Sequence, residues 1–199
     1  MKHLIAATLW VLAAALLGGC GDRSPGPKFR LTDLTGAGFG GQLALTDHSG
    51  TPRTLADFRG KVVAVFFGFT HCPDVCPMAL AELAQVVKAL GPAGDRVQVL
   101  FVTVDPERDT QQVLQRYVPS FNPSFLGLYG DLDATARAAK EFKVYFQKQP
   151  PKDGHYSVDH SAGIYILDPE GRLRLFASHN TGAPAILHDV RILLGKAGA

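Results

Sequence analysis

Cys72 and Cys76 lie in the segment Phe69-Thr70-His71-Cys72-Pro73-Asp74-Val75-Cys76-Pro77, which leaves an apolar run and enters a helical pattern. Proline is tolerated at the first helical position and disfavoured deeper, so Pro77 places Cys76 at the N-cap and Cys72 in the loop. Unpaired amides and the helix macrodipole make that point electropositive, which favours thiolate over thiol. Two converging thiolates form a soft donor pair, and soft donors select Cu(I). The same sulfurs could instead close a disulfide across their three-residue spacer. A disulfide, a two-thiolate metal site, and one site alternating between the two are all open on this evidence.

A two-sulfur site needs a further ligand or an unusually linear geometry, and His160 is the candidate. It stands in Val158-Asp159-His160-Ser161, directly before an apolar segment. In a thioredoxin-type enzyme that position carries the active-site proline opposite the cysteines. An imidazole there would complete a set of two sulfurs and one nitrogen. Asp105 and Asp109 follow a second apolar run, at the carboxyl edge where α/β proteins place their sites. They are expected either to tune the metal site or dock a partner, or to serve turn chemistry, with Asp109 capping the next helix. His71 should point away from its neighbour Cys72. Met78 reads as core, and His48, His155, His179 and His188 show no ligand spacing.

The elements that must position these groups are legible from periodicity. Gln42 to Thr46, a turn at Asp47-His48-Ser49-Gly50, and Thr54 to Phe58 read as an N-terminal hairpin. Val62 to Phe69 is a continuous apolar run without alternation, as expected of a central strand covered on both faces. Leu80, Leu83, Val87 and Leu90 recur at helical spacing until Gly91-Pro92 stops them. Val97 to Val104 is a second buried strand, 110 to 121 a second helix, and Phe125 to Tyr129 a short strand. Leu132 to Val144 is a helix, Ser161 to Asp168 with Arg172 to Ala177 a hairpin, and Ala183 to Leu194 a closing helix. This order predicts an α/β, thioredoxin-like fold, a central mixed sheet flanked by helices with an N-terminal β-hairpin extension.

The chain has 199 residues and a formal net charge of +2, and its third cysteine, Cys20, follows Leu17-Gly18-Gly19. Lys2 and the apolar run Leu4 to Leu17 read as a targeting segment, too short for the roughly 20 residues that span a bilayer. The ending looks like a bacterial lipobox, so residues 1–19 are expected to be a lipoprotein signal peptide. Residues 20–28 would be the lipidated Cys20 and a flexible tether, and 29–199 one thioredoxin-like copper-binding domain. The expected location is a bacterial cell envelope, on a membrane through the lipid anchor and facing the periplasm. The weak net charge argues against nucleic acid as a partner. With Cys20 assigned to lipid, two thiols remain to be explained in an oxidising compartment.

Three segments together resemble the Sco/SenC family of copper chaperones for cytochrome c oxidase. They are Phe69 to Pro77, Val104-Asp105-Pro106-Glu107-Arg108-Asp109-Thr110, and Asp159-His160-Ser161. The resemblance implies a thioredoxin-like fold and copper, as Cu(I) or Cu(II), held by Cys72, Cys76 and His160. It also implies a role in building the dinuclear copper centre of an oxidase subunit. The expected partner is that copper-binding subunit or another extracytoplasmic copper protein, and the chain would not be an enzyme in this role. The alternative is a thiol-disulfide oxidoreductase whose redox-active pair, Cys72 and Cys76, reduces the acceptor's cysteines before metallation. A peroxide-reducing role fits poorly, because Thr70 is two residues before Cys72 where that pattern wants three.

Overall fold

The computed structural model describes residues 28–195. In chain order its elements are β1 (Thr32–Asp33), β2 (Ala44–Asp47), β3 (Pro52–Thr54), β4 (Val62–Gly68), α1 (Val75–Ala89), β5 (Val97–Thr103) and α2 (Gln111–Tyr117). They continue as β6 (Leu126–Tyr129), α3 (Leu132–Glu141), β7 (Phe146–Lys148), β8 (Val158–His160), β9 (Gly163–Leu167), β10 (Leu173–Ser178) and α4 (Ala183–Gly195). Eight strands form one sheet in the order β1-β10-β9-β4-β5-β6-β2-β3, and β7 pairs with β8 in a separate ribbon.

β4 is central because its sequence can be nothing else. Its residues are β-branched, aromatic or small, and all seven are buried, as are all seven of β5. A strand without a polar face must be covered on both sides. β4 runs parallel to β5, Val62 opposite Val97 through Gly68 opposite Thr103, and antiparallel to β9. The parallel pair brings the ends of β4 and β5 to the same sheet edge, which is where the cysteine loop and the aspartate loop begin. α1 buries Ala79, Leu80, Leu83 and Val86 and packs against α4, whose Ile186, Val190, Leu193 and Leu194 are buried. Phe66, Phe67, Phe101, Phe125 and Phe142 are the largest fully buried side chains of the core.

The thioredoxin-like mixed sheet and the N-terminal hairpin match the expectation, with differences that have physical causes. The return arm expected over Thr54 to Phe58 forms only the short β3, then a 3-10 turn over Leu55–Phe58. There the Asp57 carboxylate accepts hydrogen bonds from the amide and hydroxyl of Thr54, an N-terminal cap that turns the chain. The helix expected to reach Val144 ends at Glu141, where the backbone passes into a left-handed conformation at Lys143 (φ 55°). The β7–β8 ribbon was not expected at all. Among the described residues no helix is long and apolar enough to cross a membrane.

The hairpin of β2 and β3 joins the sheet through β6 and is held by Asp47, which is fully buried. Its carboxylate accepts hydrogen bonds from the Ser49 and Thr51 amides and the Ser49 hydroxyl, and pairs with Arg53 at 2.8 Å. Burial opposes ionisation, but these donors outweigh it and hold the Asp47 pKa at about 2. A depressed carboxylate stabilises the fold above its unfolded pKa and ceases to do so as pH falls through its folded one. The contribution is about 1 kcal/mol after discounting for the solvent that reaches Arg53. Asp47→Asn should therefore lower the urea midpoint at pH 7. The gap between variant and parent should close as pH falls from about 4 to about 2; a gap constant with pH would contradict this role.

Candidate metal centre

β4 ends at Gly68, and Thr70, two residues further on, is pinned from the neighbouring loop. The Asp109 carboxylate, 1% exposed, accepts a hydrogen bond from the Thr70 amide at 3.0 Å and another from the Thr70 hydroxyl at 2.6 Å. A third comes from the Thr103 hydroxyl at 2.6 Å. One buried acceptor thus ties the exit of β4 to the exit of β5. The turn then closes with the Cys72 amide donating to the Phe69 carbonyl at 3.2 Å.

α1 begins two residues earlier than expected. Asp74 is the N-cap residue, Cys76 is the second helical position rather than the cap, and Pro77 the third, still within the turn whose amides need no intrahelical acceptor. The Asp74 side chain makes no capping hydrogen bond. Instead the Cys72 sulfur accepts from the Cys76 amide at 3.4 Å, so a thiol takes the place of the usual capping oxygen. Both cysteines are unpaired thiols, Cys72 partly exposed and Cys76 buried.

The two sulfurs differ more than the sequence suggests. A helix start was expected to favour both thiolates, but Cys76 is 0% exposed and burial pushes its thiol well above the ordinary range. A backbone hydrogen bond at Phe69 offsets part of this, while the Cys72 sulfur and the Asp109 charge add to it. Desolvation outweighs the dipole here. At neutral pH the Cys76 sulfur is therefore held as the protonated thiol. Room for this sulfur comes from Gly68, where a Cβ would lie 2.9 Å from Cys76 Sγ and 2.9 Å from Phe101.

His160 closes the arrangement from the end of β8. Its Nδ1 lies 3.1 Å from the Ser161 carbonyl oxygen, which can only accept, so Nδ1 carries the proton. Nε2 is left with its lone pair directed at Cys76 Sγ, 3.7 Å away. Burial pushes the His160 pKa down, which keeps the imidazole neutral and fit for a metal. The ring meets Phe69 edge-on at 5.8 Å and Phe66 at 6.4 Å. A metal-bound histidine commonly donates its second N–H to a carbonyl, the pattern seen here. Bonds of about 2.3 Å to sulfur and about 2.0 Å to nitrogen, meeting at about 120°, set their donor atoms about 3.7 Å apart. The separation between Cys76 Sγ and His160 Nε2 therefore suits one first-row ion. Among the described residues no three histidine, cysteine or carboxylate side chains already form a gathered metal cluster. Cys72 is the one engaged elsewhere, on the Cys76 amide.

The remaining expected residues fall into place unequally. Asp109 positions the cysteine loop but does not cap the next helix, since Thr110 is that N-cap and accepts from the Val113 amide. Asp105, 3% exposed, pairs with Arg108 at 2.5 Å and accepts from the Tyr156 hydroxyl at 2.9 Å. His71 is exposed beside Asp109 at 4.0 Å. Met78 is 47% exposed, so the expectation that it belongs to the core fails. It follows Pro77 on the outward side of the first turn. Cys20 lies outside the described residues. Reasoning from sequence missed Gly68 and the Ser161 carbonyl. A glycine at the end of an apolar strand is a signal of close approach, whereas a backbone carbonyl leaves none.

The family model described as SCO1/SenC matches residues 32–195. The mouse "Protein SCO2 homolog, mitochondrial" is 44% identical over 154 residues, which are 76% of this chain and 60% of that protein. The chain spans about three fifths of the length of the curated relatives it matches. Among solved structures, ScoI of Bradyrhizobium japonicum with copper bound is 40% identical with a TM-score of 0.72, covering 78% of this chain and 99% of that one. Apo Sco1 of Thermus thermophilus is 42% identical with a TM-score of 0.76, covering 86% and 100%. These findings correct the expected location. Mouse, human and yeast relatives are mitochondrial by name, which overturns placement in a bacterial envelope. A basic-then-apolar leader and four residues around one cysteine discriminate poorly between targeting routes.

The space at Gly68 gives a direct test of the geometry. Gly68→Ala should cost about 1–3 kcal/mol through overpacking and drive the Cys76 sulfur off its position. Denaturant midpoints would report the first effect and faster alkylation of Cys76 in the native protein the second. An alanine variant with parental stability and Cys76 protection would show that the site has slack there.

Proposed function

The chain belongs to the SCO1/SenC family, and from that premise we propose that it is a copper-binding metallochaperone. Cys72, Cys76 and His160 hold the copper, and a partner protein receives it. The observation that carries this reading is His160 Nε2, deprotonated by its neighbour's geometry and 3.7 Å from Cys76 Sγ. Two sulfurs and one imidazole make a softer and smaller set than the four-ligand closed sites of zinc, which favours Cu(I). Copper is present in the solved relatives from Bradyrhizobium and yeast, which supports the same cargo here. The member BsSco is described as belonging to a family of cytochrome c oxidase assembly proteins. That supports the dinuclear copper centre of an oxidase subunit as the acceptor.

In this reading each residue has a separate task. Cys76 and His160 are fixed by packing and by the Ser161 carbonyl, so they form the static half of the site. Cys72, partly exposed, leaves the Cys76 amide to bind copper and is the ligand an acceptor can reach first during exchange. Both thiols give up their protons on loading.

The unequal burial of the two thiols favours a second reading, reduction of an acceptor disulfide. The partly exposed Cys72 sulfur, as thiolate, would attack one acceptor sulfur and expel the other as a thiolate. Cys76 would then lose its proton and attack Cys72, releasing the second acceptor thiol. The acceptor gains two electrons and two protons, and the chain ends with a Cys72–Cys76 disulfide.

Competition against a Cu(I) chelator under anaerobic, reducing conditions separates the two. Alanine at Cys72, Cys76 or His160 should each weaken Cu(I) retention on the order of 100-fold or more, about 2.8 kcal/mol. Near-unchanged retention in all three variants would sink the chaperone reading. Acceptor reduction that survives His160→Ala but not Cys72→Ala would favour the second.

A further inference from the structure

His160 stands on a two-stranded ribbon that lies outside the main sheet, so contacts other than sheet pairing must hold it against the cysteines. The loop of that ribbon rests on the segment after β5, and Arg108 is at the centre of the contact. Its Nε pairs with the Asp105 carboxylate at 2.5 Å, and its Nη1 donates to the Tyr156 carbonyl at 3.0 Å. Its guanidinium carbon lies 3.5 Å from the centroid of the Tyr156 ring, whose hydroxyl donates to the same Asp105 at 2.9 Å. Lys148 of β7 lies 4.1 Å from that ring and pairs with Glu107. The Arg108 guanidinium is also 5.9 Å from the centroid of Phe69, and Phe69 meets His160 edge-on at 5.8 Å. Arg108 Nη2 is buried without a hydrogen-bond partner among the described residues, so the fork is held here by the stack and by its other two nitrogens.

We propose that Arg108 is the positioning residue of His160: it clasps the β7–β8 ribbon through Tyr156 and backs the Phe69 ring against which the imidazole rests. A planar fork can stack on tyrosine and bond its carbonyl at once, which a lysine ammonium cannot. The clasp acts on the metal-free protein, and its purpose rests on the copper reading above.

The test uses the full chain carrying Arg108→Ala, Arg108→Lys or Tyr156→Leu, each with and without His160→Ala. In the metal-free protein, NMR of the His160 ring and amide exchange at Gln149, which donates to the Ser157 carbonyl within the ribbon, report position directly. Arg108→Ala should shift and broaden the His160 ring signals and speed exchange at Gln149 while a cooperative thermal transition persists. Cu(I) retention should fall about 10- to 100-fold, with little recovery in Arg108→Lys and no further loss in the His160→Ala background. Should Arg108→Ala fail to fold, Tyr156→Leu keeps the Asp105–Arg108 pair and should give the same pattern. Unmoved His160 ring signals, or an equal loss of retention in the His160→Ala background, would overturn the proposal. If His160→Ala alone leaves retention unchanged, the copper reading falls, and the ring signals still decide the role of Arg108.

Discussion

The buried carboxylate of Asp109 joins the exits of the two parallel strands at the centre of the sheet, and the site depends on it. Paired strands end beside each other, but nothing in strand pairing dictates where the chain goes next. By accepting from the Thr70 amide, the Thr70 hydroxyl and the Thr103 hydroxyl, Asp109 gives the cysteine loop a fixed departure. Burial raises its own pKa, and the threonine donors oppose that. Those bonds make its desolvation tolerable.

Around that anchor the site combines fixed and movable donors. Cys76 is held in a gap that only a glycine at position 68 leaves, and His160 is oriented by a carbonyl and two aromatic edges. Both are committed by packing before any ligand arrives. Cys72 is committed only to one amide, by the weak acceptor capacity of a thiol sulfur. The division follows depth: what the core surrounds cannot move, and what the helix start offers can.

Much of this was legible in the sequence because the decisive signals were local. An unbroken apolar run marked β4 and β5, helical spacing marked α1, and Cys72, Cys76 and His160 stood out by type. What escaped was set by tertiary context. Cys76 sits at a helix start that should ease its ionisation, yet only the fold shows that Phe101, Gly68 and the strand end exclude water from it. The β7–β8 ribbon was missed because each strand is three residues long with a single apolar residue, below the length at which alternation can be read. Met78 looked like core because it stands two residues along the helix from Cys76, but its direction depends on where α1 starts, and that start lies two residues earlier than expected.

The Cys72 sulfur has a further significance because it already accepts a hydrogen bond from the amide of Cys76. A carrier differs from a store in needing to let go, and letting go is hardest when the vacated ligand faces nothing. Here the amide at the head of α1 waits for the sulfur's return. On the proposed copper reading, loading would uncap a helix and unloading would recap it, so the fold itself would act as a weak competitor for the cargo. The grip would thereby be shallower than three ligands alone would make it, by an amount built into the first turn of a helix.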